Sequence, residues 1–101
     1  VTLDYLLFDH SEGDDDTSLF EALATVGPER EAAVRAEIET VMGWAARRFL
    51  GRRGPVEEGG DWDADLEERQ EEPALRSFHL SITGSPAFAE AFIAEFGDAV
   101  N

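Results

Sequence analysis

Thr17-Ser18-Leu19-Phe20-Glu21-Ala22-Leu23-Ala24-Thr25-Val26 is the stretch on which the architecture turns. Ser18 and Glu21, three residues apart, have the form of a capping box, and Asp16 or Thr17 could also cap a helix here. Leu19, Phe20, Leu23 and Val26 then make an apolar stripe, so the segment is expected to be a short helix. That reading leaves three strands in the chain.

The flanking segments follow from the same periodicities. Upstream, residues 10–17 form a polar, acidic loop, and residues 3–9 read as a central strand with two apolar faces. Leu3, Tyr5 and Leu7 lie on one of its faces, Leu6 and Phe8 on the other. Downstream, Gly27 ends the short helix and Pro28 suits the first turn of the next. Val34, Ile38, Val41, Ala45 and Phe49 recur at three- and four-residue steps and predict a long helix over 28–50.

Trp62, Ala64 and Leu66 alternate with Asp63, Asp65 and Glu67, the period of a half-buried strand. A turn at Glu71-Glu72-Pro73 returns the chain into a strand alternating Arg76, Phe78, Leu80 and Ile82 with Ser77, His79, Ser81 and Thr83. Ser85 and Pro86 have the residue types of a cap and a first helical position, and Phe88, Phe92 and Phe96 form the apolar stripe of a last helix. The order is β-α-α-β-β-α. It predicts one α+β domain over 1–101 with a three-stranded mixed sheet and helices on one face, an incomplete ferredoxin-like arrangement. The first strand is placed beside the third and parallel to the second, with the acidic strand at the edge.

Composition narrows the function classes. The chain has 101 residues and a net charge of −15, with 23 acidic residues against eight basic ones, all of them Arg. About a quarter of the residues are Leu, Ile, Val or Phe, above the ~20% below which a highly charged chain stays unfolded. This acidity argues against nucleic acid and against an anionic membrane surface, both of which call for a basic patch. The absence of cysteine excludes disulfides and thiolate chemistry. No run approaches a membrane span, and Val1-Thr2-Leu3-Asp4-Tyr5 lacks the basic start of a signal peptide. A soluble protein of a bacterial cytoplasm is expected, and the lysine-free composition fits a GC-rich genome.

Five groups of residues bear on function. Glu12, Asp14, Asp15 and Asp16, near Asp9 and His10, have the residue types of a hard-cation site, but lack the spacing of one. His10, Ser77 and His79, with Asp4 and Ser81, are expected on the open sheet face, where His and Ser could do acid–base or nucleophilic work. No G-x-S-x-G turn or helical His pair supports this, so no catalytic residue, metal or cofactor is assigned. Gly84-Ser85-Pro86 reads as a helix cap rather than an anion site. Arg47, Arg48, Arg52 and Arg53 form the one basic cluster, suited to a helix C-terminus or to docking an acidic partner. Residues 57–72 carry nine acidic side chains against one Arg, a pattern that protects an edge strand or recognises a basic partner.

The expected function is a non-catalytic protein-interaction or homodimerising module. Its contact surface is the open sheet face, with Leu6 and Phe8 emerging there as an apolar patch. The partner is a basic protein or a second copy. A small enzyme or ligand-binding domain on the same face, and an acidic mimic of nucleic acid, are the alternatives.

Overall fold

The computed structural model describes residues 2–13, 15–71 and 73–101. Four strands and two α-helices follow one another: β1 (Phe8–Glu12), β2 (Ser18–Val26), α1 (Glu31–Arg48), β3 (Trp62–Glu71), β4 (Leu75–Gly84) and α2 (Pro86–Phe96). The strands form one sheet in the order β1-β2-β4-β3, with every neighbouring pair antiparallel.

The segment expected to be a short helix is therefore β2, a central strand. Ser18, Phe20, Ala22, Ala24 and Val26 are buried at every second position, while Leu23 and Thr25 are exposed between them. The apolar positions with helical spacing belong to both faces of a strand. The two residues spaced as a capping box have other partners. Ser18 Oγ lies 3.0 Å from His10 Nε2, and Glu21 Oε2 lies 3.1 Å from His79 Nε2. β2 pairs with β4 along its whole length and with β1 over Ser18–Ala22, and tertiary context outweighs a local preference of this size.

This changes the topology in an instructive way. The stretch from β2 to α2 runs βαββα, with its first strand beside its third and the acidic β3 at the edge. That is the arrangement expected from the sequence, with β2 in the place given to residues 3–9. The further strand, β1, enters from the N-terminal side and pairs antiparallel to β2 at the opposite edge. The expected three-stranded mixed sheet is thus a four-stranded antiparallel one. The strand begins at Phe8, so residues 3–7 lead into the sheet without belonging to it.

The phase of that first strand is also corrected. Phe8 pairs with Ala22 and faces the helices, and Leu6 joins it in the core; both are buried. Leu7 points outward instead. The leading segment is held by α1, where the Glu37 carboxylate accepts hydrogen bonds from the backbone N–H groups of Asp4, Tyr5 and Leu6 at 2.7–3.0 Å.

The other predicted helices and the hairpin are present, the long helix expected over 28–50 running as α1 over Glu31–Arg48 after a 3-10 turn at Pro28–Arg30. Helix α1 buries Val34, Ile38, Val41 and Ala45 against the sheet. Helix α2 is capped by Ser85, whose Oγ accepts from Phe88 N and donates to Asp61 Oδ1. Phe88, Phe92 and Phe96 pack around Trp44, their ring centroids 5.3–5.9 Å from the indole. Phe8 and Phe20 meet the same cluster from the sheet. Each such ring is worth about 1.5–3 kcal/mol when buried, so this aromatic layer contributes substantially to stability. Gly84 has no freedom to be anything else, because a Cβ there would lie 2.3 Å from the Phe88 ring. No helix among the described residues is long and apolar enough to cross a membrane.

Candidate functional site: the uncovered sheet face

Both helices lie on one side of the sheet, and strand alternation sends every other residue to the far side. The register gives that side a defined grid. Leu23 of β2, His79 of β4 and Glu67 of β3 form a row across three strands. Glu21, Ser81 and Asp65 make the row on one side of it, and Thr25, Ser77 and Arg69 the row on the other. Asp9 of β1 extends the Glu21 row to the edge.

Leu23 is 65% exposed, just past the last β2 residue that β1 pairs. The polar groups around it are tied together. His79 Nε2 is 3.1 Å from Glu21 Oε2 and 3.5 Å from Ser81 Oγ. Ser77 Oγ donates to Glu71 Oε1 and lies 2.9 Å from Thr25 Oγ1. Leu23, Glu67, Arg69, Glu71, Ser77 and His79 line a cleft of about 300 Å³ on this surface. The face carries Asp9, Glu21, Asp63, Asp65, Glu67 and Glu71 against Arg69.

The residues singled out from the sequence divide between two sides of the molecule. Ser77, His79 and Ser81 reach the open face as expected. His10 does not: it pairs with Phe20 on the helix side and stacks on that ring at 4.5 Å, with 8° between the planes. The two histidines therefore lie on opposite sides of the sheet, and the expected His–His–Ser constellation is not assembled. Leu6 and Phe8, buried in the core, contribute nothing to the open face. Both differences come from a one-residue shift of phase in the first strand, which moves every side chain to the other side.

The acidic loop connects β1 to β2, so its last Asp caps no helix. Asp15 Oδ1 accepts from the Thr17 backbone and hydroxyl, and these bonds hold its carboxyl below the usual range. Asp16 adopts a positive φ of 67° at the turn. Asp14 and Glu72 lie outside the described residues. Among those described, no three His, Asp or Glu side chains converge as a metal site would require.

The basic cluster is split by task. Arg52 Nε donates to Asp61 Oδ2 at 2.7 Å, and its Nη2 to the Gly59 carbonyl. Arg53 donates to Asp63 and to the Ala64 carbonyl, and its guanidinium lies 5.0 Å from the Trp62 ring centroid. These two arginines fasten the 51–61 connection to the start of β3. Arg52, followed by Ser85, lowers the pKa of Asp61, and Arg53 does the same for Asp63. Arg47 and Arg48 occupy the last turn of α1, where cations complement the helix dipole.

Three residues of the open face escaped the sequence reading: Leu23, Glu21 and Thr25. Their signal was present as the two-residue alternation of β2, hidden because both of its faces carry apolar side chains. Comparison with protein-family models, with curated proteins and with solved structures finds no match for this chain.

Proposed function

We propose that the protein is a non-catalytic binding module whose open sheet face docks a basic protein segment. The observation that carries this reading is the exposure of Leu23 on a sheet face whose surroundings are acidic. A large apolar side chain standing in water gains about 1.5–3 kcal/mol when covered. Glu21, Glu67 and Glu71 select a cationic cover for it, and they raise the rate of encounter with one.

The same features disfavour self-association through this face. The apolar patch expected from Leu6 and Phe8 lies in the core, and apposing two copies would bring like charges together. A partner with alternating basic and apolar residues fits the face better. Its apolar residues cover Leu23 while its cations reach the glutamates.

The test uses a synthetic peptide alternating Arg and Leu, titrated by calorimetry. The wild type is expected to bind saturably, more weakly as salt rises. Leu23→Ser should weaken binding about tenfold, the equivalent of ~1.4 kcal/mol. Ile93→Ser, which removes an exposed apolar side chain on α2 instead, should leave it unchanged. Equal loss in the two variants, or none in either, contradicts the reading.

A further inference from the structure

Among the side-chain types on the open face, histidine alone changes its charge between about pH 5 and 8. His79 stands inside the cleft that docking would cover, and His10 lies on the other side of the sheet. What surrounds the His79 ring therefore decides whether a proton there alters docking.

Two strands flank His79 on this face, and the helices lie behind the sheet. From β2, Glu21 Oε2 comes within 3.1 Å of Nε2, and Leu23 is the register partner. From β3, Glu67 is the register partner, with Asp65 and Arg69 one step along the face on either side. The neighbours on β4 itself are the uncharged Ser77 and Ser81. Glu71 lines the same cleft and accepts from the Ser77 hydroxyl. Of these carboxylates, Glu21 is the one that touches the ring. Both partners of that contact are partly exposed, so protons in solution reach it.

We propose that His79 makes the docking of a basic segment on the open face dependent on pH, with protonation of the ring weakening the complex. The inference rests on the docking function proposed above and adds its regulation. With the ring neutral, Glu21 turns an unmatched negative charge towards the partner. Both ring nitrogens of an imidazolium donate, so its contact with Glu21 becomes a charge-assisted hydrogen bond without any movement. Glu21 then has a resident cation in place of the partner's. A positive charge also faces the incoming cations from between Leu23 and Glu67, adding to that of Arg69. By linkage, a partner that prefers the uncharged ring expels the proton when it docks, and acid opposes docking by the same factor. The contact is open to water and screened, so the effect has the size of one exposed charge pair.

The test is calorimetric titration with the Arg–Leu peptide, its ends blocked, at about pH 7.5 and about pH 5.5 in equal salt, on either side of the histidine range. Arginine is charged throughout, so the peptide does not change. The wild-type dissociation constant should rise about three- to fivefold on acidification. His79→Gln keeps an amide donor beside Glu21 and cannot titrate, so the ratio of its two dissociation constants should fall to about one. This variant retains His10 and every carboxylate, which assigns a dependence that disappears to His79. A wild-type affinity that is the same at both pH values, or a change that persists in His79→Gln, overturns the switch and leaves the docking function standing. A peptide that binds at neither pH overturns the docking function and the switch together.

Discussion

Leu23 on β2 and His79 on β4 are register partners on the uncovered sheet face, and only the histidine has polar company there. The leucine contributes little to the folded state because water already surrounds most of it. Leu23→Ser should therefore change stability by no more than about 0.5 kcal/mol, the range for surface substitutions. Phe92→Ala, in the aromatic layer behind the same sheet, should cost about 3–5 kcal/mol. Urea unfolding of the two variants measures the contrast. A large loss from Leu23→Ser would mean that the residue is structural.

The Arg52–Asp61–Ser85 link closes the connection between α1 and β3 onto the cap of α2. Arg52 and Ser85 lower the pKa of Asp61 in the folded state, so the unfolded chain binds its proton first as pH falls. The stability that the ionised Asp61 contributes is complete above its ordinary unfolded pKa. It is lost as pH drops through that value towards the lowered one. Asp61→Asn should cost about 1–2 kcal/mol at neutral pH, and the gap to wild type should narrow as pH falls below the ordinary aspartate range. Thermal unfolding across pH reads both. A gap that persists undiminished in acid would assign the effect to hydrogen-bond geometry rather than to charge.

Glu37 substitutes for a neighbouring strand in the leading segment by accepting three of its backbone N–H groups. Glu37→Ala should leave these donors to water and cost about 1–3 kcal/mol. Hydrogen exchange at Asp4, Tyr5 and Leu6 should speed up more than exchange in β2 or β4. Uniform acceleration throughout the sheet would show that the segment does not open on its own.

Two glycines should respond to alanine in opposite directions. Gly43→Ala meets only a mobile guanidinium and gains helix propensity, so it should raise stability by up to about 1 kcal/mol. Gly84→Ala drives a methyl group into the Phe88 ring and should cost about 1–3 kcal/mol or more. Melting temperatures of the two variants decide the matter, and a shift of the same sign in both would contradict it.

The sequence made some of these elements plain and hid others for a physical reason. The long helix, the β3–β4 hairpin and the capped last helix each have one apolar side, so their period can be read directly. Residues 17–26 do not, because Leu19 and Leu23 are apolar on the face that remains open. The same leucine that marks the candidate docking surface made the strand resemble a helix. The phase of the first strand could not be fixed either. Leu6, Leu7 and Phe8 are all apolar, and the pairing of Phe8 with Ala22 decides which of them faces inward. His79 was placed correctly because β4 alternates cleanly, and His10 was misplaced together with its strand.

The most direct test of the docking face is amide shift mapping of the chain during titration with the Arg–Leu peptide. The account predicts saturable shifts at Leu23, Thr25, Ser77, His79 and Ser81, with the outer surfaces of α1 and α2 unchanged. Shifts spread over all acidic surfaces alike, or centred on the helices, would contradict it.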